Sequence, residues 1–129
     1  VFCITGDGEM QEGQVWEAIM LAPKLGLKNL CLIVDANGAQ NDGLVQDILS
    51  LDQGLSLAEK IRSFGWDVQT LDGHDEKAIQ KALTIKSNLP VCIVAQTIKG
   101  KGVSFMESFE WHAKAPNKDQ YQQALKELG

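Results

Sequence analysis

The sequence predicts an α/β fold, a parallel sheet with helices on both faces, and three observations carry that expectation. Apolar, β-branched runs without alternation recur at VFCIT (1–5), NLCLIVD (29–35) and PVCIVAQ (90–96), as in parallel strands covered on both sides. Segments with apolar residues at helical spacing lie between the strand runs, the βαβ pattern. Polar, glycine-bearing segments follow the strong strands: GDGE, DANGAQNDG and TIKGKG. Parallel sheets bind ligands beyond the carboxyl ends of their strands, so these three segments are expected to converge on one rim.

Taken in order, residues 1–5 form the first strand. From Glu9 to about Ala22, Val15, Trp16, Ile19 and Met20 repeat at three-to-four spacing and predict an amphipathic helix. Pro23 should end or kink it, and Gly26 supports the stop. A second buried strand runs over 29–35, and residues 36–43 carry loop chemistry throughout. Residues 56–64 read as a helix closed by Gly65, 66–71 as a strand, DGHD as a turn, and 76–86 as a helix capped by Asp75. The last strand covers 90–96. Pro116 and Asn117 introduce a final short helix that ends at Gly129.

The 129 residues suit a single domain with its own core, 44% apolar and 22% charged. A net charge of -5 argues against nonspecific nucleic-acid binding, which needs basic surface. No apolar run approaches the roughly 20 residues of a membrane helix. Cys3, Cys31 and Cys92 each sit in an apolar run and read as buried free thiols, which with the absence of a basic-then-apolar leader suggests a cytoplasmic setting. The chain opens directly in a core-strand pattern, so it is expected to be part of something larger.

The chemistry concentrates on GDG. Alone, the tripeptide reads as a turn. Asp7, however, follows one buried strand and Asn37 the next, with one helix between, so both are expected at the same rim. A carboxylate, an amide oxygen and a nearby main-chain carbonyl make a hard oxygen set suited to Mg²⁺ or Ca²⁺. These are too few for a closed cage, and Mg²⁺ fills its remaining positions with water and phosphate oxygens. Gly6 and Gly8 allow close approach of backbone to a diphosphate, and the helix N-terminus contributes N–H donors and its dipole.

GDGE followed some thirty residues later by a strand and Asn resembles the thiamine-diphosphate motif. The wider likeness is to transketolases: GDGEMQEGQVWEA, NLCLIVDANGAQNDG, FGWDVQTLDGHD, TIKGKGVSFME and EWHAKAP resemble successive segments of the cofactor-binding domain, over nearly the whole chain. The endings resemble those of N-terminal subunits of two-chain transketolases. The resemblance implies that Asp7, Asn37 and the main-chain carbonyl of Ala39 bind Mg²⁺, with Ca²⁺ or Mn²⁺ as substitutes. It implies Gly6, Asp7, Gly8 and Glu9 around the diphosphate, Lys99 on the phosphate side, and His112 facing the substrate. It makes Glu12 part of a charge network across a dimer interface.

Each residue also has a plainer reading. Glu12 reads equally as a glutamate favoured by the helix dipole, Lys99 as a solvated charge between glycines, and His112 as a surface histidine. His74 reads as part of a turn, and Trp16 and Trp66 as core or interface. The helix carrying Pro23 is usually uninterrupted in the family, and the stretch between Lys99 and His112 is short relative to some members. The resemblance places the activating glutamate in a separate pyrimidine-binding domain, and neither that domain nor the first half of the diphosphate domain matches here. The expectation is therefore 1–129 as one partial thiamine-diphosphate-binding domain, inactive alone, binding cofactor poorly and exposing an apolar edge. It would work with companion chains carrying the rest, in a dimeric assembly acting on sugar phosphates. The alternatives are another thiamine-diphosphate enzyme component, of the 1-deoxyxylulose-5-phosphate synthase or 2-oxo acid dehydrogenase type, or a noncatalytic diphosphate-binding assembly module.

Overall fold

The computed structural model describes residues 1–129. Four strands form one parallel sheet: β1 (Phe2–Gly6), β2 (Cys31–Ala36), β5 (Asp67–Asp72) and β6 (Val91–Gln96), in the order β1-β2-β6-β5. Between β2 and β5 come a two-stranded antiparallel hairpin, β3 (Ala39–Gln40) and β4 (Gly43–Leu44), and two helices, α2 (Val45–Leu49) and α3 (Leu57–Ser63). Helix α1 (Gly13–Lys24) joins β1 to β2, α4 (Glu76–Leu83) joins β5 to β6, and α5 (Lys118–Leu128) closes the chain. No helix is long and apolar enough to cross a membrane.

Side-chain alternation splits the strands between two faces. Leu32 and Val34 of β2, Val68 of β5, and Cys92 and Val94 of β6 pack with Ile19 and Ala22 of α1 and Leu57 and Ile61 of α3. On the other face a smaller group joins Val91 and Ile93 to Ala82 of α4, with Cys31, Ile33 and Leu71 beside it. Helices thus lie on both faces, as expected. β1, however, is an edge strand: Phe2 is 63% exposed and Ile4 70%. Its apolar run is not covered on both sides. The cysteines differ accordingly, because Cys92 is buried, Cys31 half-buried and Cys3 exposed, all as free thiols. Burial, with Cys31 nearby, pushes the Cys92 thiol up to about 12, which makes it an inert core group.

Several local expectations change. The segment after Asp7 is not yet α-helix. A 3₁₀ turn covers Glu9–Gln11, Glu12 is extended, and α1 begins at Gly13. Pro23 does not cut α1 short, because the helix runs to Lys24 and ends where Gly26 adopts φ 64°. A proline at 23 leaves the Ile19 carbonyl without its helical N–H. The buried Trp66 indole N–H donates to that carbonyl at 2.8 Å and replaces it. The hairpin starts inside the expected loop 36–43 and ends at Leu44, and α2 follows in a stretch where no element was expected. The expected caps form: Asp75 accepts from Lys77 and Ala78, and Asn117 closes a reciprocal capping box with Gln120. Helix α4 stops at Leu83, three residues before Lys86.

Candidate functional site

β1 and β2 pair in register from Phe2↔Cys31 to Gly6↔Asp35, so the residues that follow them emerge side by side. The Asp7 amide continues the ladder, donating to the Asp35 carbonyl at 3.1 Å. The Asp7 side chain turns towards the loop after β2, where its Oδ2 accepts the Gly38 N–H at 2.7 Å. Gly38 has φ 71°, a conformation that glycine adopts without strain, and this aims its N–H at the carboxylate. Asp7 is only 6% exposed, and its Oδ1 is buried with no hydrogen-bond partner. Burial pushes its carboxyl above the usual carboxylate range; the Asp35 charge adds to this, while the Gly38 and Gly8 N–H groups oppose it.

Asn37 sits beside this carboxylate. Its Oδ1 accepts the Ala39 N–H at 2.9 Å, and its Nδ2 donates to Asp35 Oδ2 at 3.0 Å. An amide oxygen has two lone pairs, so one acceptor position of Oδ1 is left. Asp7, Asn37 and Gly38 line one wall of an open cleft of about 640 Å³; Ser50, Asp52 and Ser56, from the α2–α3 connection, line another. Gln11 ties the end of α2, just before that connection, to the 3₁₀ turn by donating to the Leu49 carbonyl at 2.9 Å. No group of three or more His, Cys, Asp or Glu side chains could hold a metal. The donors that the cleft presents are therefore the Asp7 carboxylate and the Asn37 amide oxygen. A buried carboxylate oxygen without a donor is costly, and a hard divalent cation would satisfy it; these residues fit Mg²⁺ with most positions open to water or phosphate.

The other expected residues are placed less directly. Ala39 is buried in β3 and its amide is held by Asn37; it does not line the cleft. Gly8 packs against the hairpin, where an added Cβ would lie 2.8 Å from the Gln40 Cβ, so its lack of a side chain serves a protein contact. Glu9 turns back, accepting the Gly6 N–H at 2.6 Å. Glu12 is exposed at the start of α1 and makes no side-chain cap bond. The α-helix N-terminus thus lies beyond the glycines, separated from Asp7 by the 3₁₀ turn.

Lys99 follows β6 and is half-buried outside the cleft walls. Its turn sits on the same rim, because the Thr97 amide donates to the Ala36 carbonyl at 3.3 Å. His112 is exposed at the end of a 3₁₀ turn, Phe109–Trp111, that lies against β4, and it does not reach the cleft. Trp111 anchors this segment, with Phe105 edge-on at 5.1 Å and Lys114 Nζ 4.7 Å from the ring centroid.

Three residues outside the expected ligand set complete the rim. Asp35 bonds both Asn37 and the Thr97 hydroxyl. His74 Nε2 accepts the Ile98 N–H at 2.8 Å, so its structural reading gains a definite partner, the turn before Lys99. The available signal was a charged residue, Asp35, ending an otherwise apolar strand two positions before Asn37.

The family profile described as "Transketolase, thiamine diphosphate binding domain" matches residues 1–129. The chain is 40% identical over 131 residues to one subunit of an apulose-4-phosphate transketolase from Actinobacillus succinogenes, covering 99% of this chain and 46% of that protein. It is 43% identical over 110 residues to a 6-deoxy-6-sulfo-D-fructose transketolase subunit from Clostridium sp., covering 83% of this chain and 39% of that one. Among solved structures, transketolase from Campylobacter jejuni superposes with a TM-score of 0.87 at 30% identity, covering 97% of this chain and 20% of that one. The chain spans under half the length of these relatives. It belongs to the transketolase family, through its thiamine diphosphate binding domain.

Proposed function

We propose that this chain anchors the diphosphate of thiamine diphosphate through Mg²⁺ in an enzyme that transfers two-carbon ketol units between sugar phosphates. The observation that carries this reading is the buried, unpartnered Asp7 Oδ1 on the cleft wall shared with Asn37. Asp7 and Asn37 would hold the cation, with the Ala39 carbonyl as a third oxygen. Bound thiamine diphosphate supplies the carbanion chemistry of ketol transfer. This chain's task is to hold the diphosphate still: Asp7 neutralises the cation, and the Gly38 N–H keeps the carboxylate from rotating. Lys99 would add positive charge on the phosphate side, and His112 would meet the substrate once further polypeptide brings the segment after β6 over the cleft. Glu12, exposed on α1, would contact a second copy of the assembly.

The rest of the cofactor domain and the pyrimidine-binding domain would come from companion polypeptide, in a cytoplasmic, dimeric enzyme. Relatives that are themselves named as subunits support that arrangement. They also favour a second reading of specificity, because they are named for apulose 4-phosphate and 6-deoxy-6-sulfo-D-fructose. The donor sugar here would then lie outside the ordinary pentose phosphates.

The test is Asp7→Ala in the complete enzyme. Titration calorimetry of thiamine diphosphate with Mg²⁺ should show at least about a 100-fold loss of affinity, with an unchanged circular dichroism spectrum because a rim carboxylate is not core. Wild-type affinity in that variant would remove the ligand assignment.

A further inference from the structure

Asp35 touches all three segments that form the rim. Its main-chain carbonyl takes the Asp7 N–H at 3.1 Å. One carboxylate oxygen, Oδ2, takes the Asn37 amide at 3.0 Å, and the other, Oδ1, takes the Thr97 hydroxyl. Neither side-chain bond is needed to continue the sheet, since β2 is already paired with β1 and β6 on its two sides.

We propose that Asp35 is the positioning residue of the cation site, orienting the Asn37 amide and fixing the Thr97–Lys99 segment with a single carboxylate. This rests on the reading of Asp7 and Asn37 as the cation-binding pair. An ionised carboxylate only accepts hydrogen bonds, so the NH₂ end of Asn37 must face it. The Asn37 oxygen is thereby directed away from Asp35, towards the Ala39 N–H and the cleft. With an uncharged amide at 35, which both donates and accepts, that constraint disappears, and only the Ala39 N–H still holds the Asn37 oxygen in place.

The second carboxylate oxygen acts on the lysine-bearing turn. Thr97 also packs closely on the β5–α4 turn, its Cγ2 filling the space that the missing side chain of Gly73 leaves. The Gly73 N–H meanwhile holds the Gln96 carbonyl at 2.7 Å, and His74 holds the Ile98 N–H. The turn leading to Lys99 is therefore clamped from the β5–α4 side and from Asp35. Residues that orient metal ligands through hydrogen bonds generally change affinity on removal about 10- to 100-fold.

The test uses the complete enzyme that contains this chain, with Mg²⁺ titrated against a fixed concentration of thiamine diphosphate and binding followed by calorimetry well below the melting temperature. Asp35→Asn should raise the apparent Kd for Mg²⁺ by about 10- to 100-fold, and Thr97→Val by about 3- to 10-fold. Thr97→Ser, which keeps the hydroxyl, should stay within about two-fold of wild type. A purely structural role would lower the melting temperature of Asp35→Asn and Thr97→Val without moving the Kd, and that result overturns the proposal. If Asp35→Asn does not fold, the Thr97 pair decides, and equal affinities for the valine and serine variants overturn it. Loss of binding in Asp7→Ala beside unchanged Asp35 and Thr97 variants removes this inference alone; unchanged binding in Asp7→Ala removes the cation site and this inference with it.

Discussion

The two faces of the sheet are built unequally. Beneath α1 and α3, Met10, Val34, Ile61 and Cys92 have no exposed surface, and Trp66 adds a polar tie by bonding the carbonyl that Pro23 leaves free. On the α4 side, Ala82 covers only β6 and its neighbourhood, and the same sheet surface continues onto Phe2 and Ile4, which are open. The strands carry the same kind of apolar residue on both sides, so composition does not make the difference; the helices do. Asp7 and the cleft lie at the rim of the packed face, where Val94 and Leu57 line the cleft while belonging to the core. The buried, partly unsatisfied carboxylate is held there by the Gly38 N–H.

The largest effect should come from cutting into the packed face. Ile61→Ala is expected to cost about 3 kcal/mol, as is usual for emptying a buried aliphatic site. Ile4→Ala should stay within about 0.5 kcal/mol. Urea denaturation of both variants in the 129-residue chain checks this, and similar losses would erase the contrast between the faces.

A smaller effect sharpens it. Trp66→Phe removes the only side-chain donor to the Ile19 carbonyl, and an orphaned buried acceptor costs about 1–3 kcal/mol. Pro23→Ala restores a helical N–H for that carbonyl, so Trp66→Phe should cost about 1 kcal/mol less in the Pro23→Ala background. Strict additivity in the double-mutant cycle would show that the indole bond does not compensate for the proline.

The smallest effect is in pH dependence. An unperturbed Asp titrates near 3.8, and Asp7 in the folded chain titrates above that value. The folded state thus holds this proton more tightly than the unfolded state. The stability this contributes is complete below about 3.8 and is lost as pH rises through the folded pKa. Without divalent cation, Asp7→Asn should therefore gain stability relative to wild type between acid and neutral pH, as measured by melting temperature across pH. Added Mg²⁺ should narrow or reverse that gap by stabilising only the carboxylate form.

Much of this was legible along the chain. The apolar runs marked β1, β2 and β6, Asp75 and Asn117 announced their helices, and the spacing from Asp7 to Asn37 brought both to one rim. The 3₁₀ turn before α1 was hidden because Glu9 and Gln11 suit an α-helix, and the bond from Glu9 to the Gly6 N–H has no periodic signature. That Gly8 also makes room for Gln40 has no signal in the sequence, because the two residues meet only through the hairpin. The five-residue α2 is too short to display a period.

Strand, helix and cap are choices made over a few neighbouring residues, by backbone sterics and side-chain spacing, and the order of residues is enough to express them. That β1 is left open, which oxygen of Asp7 lacks a donor, and that Asp35 joins Asn37 to Thr97 depend on groups as far as 62 positions apart in the chain. Such relations come into being when the sheet assembles, because burial and hydrogen-bond satisfaction belong to the packed whole.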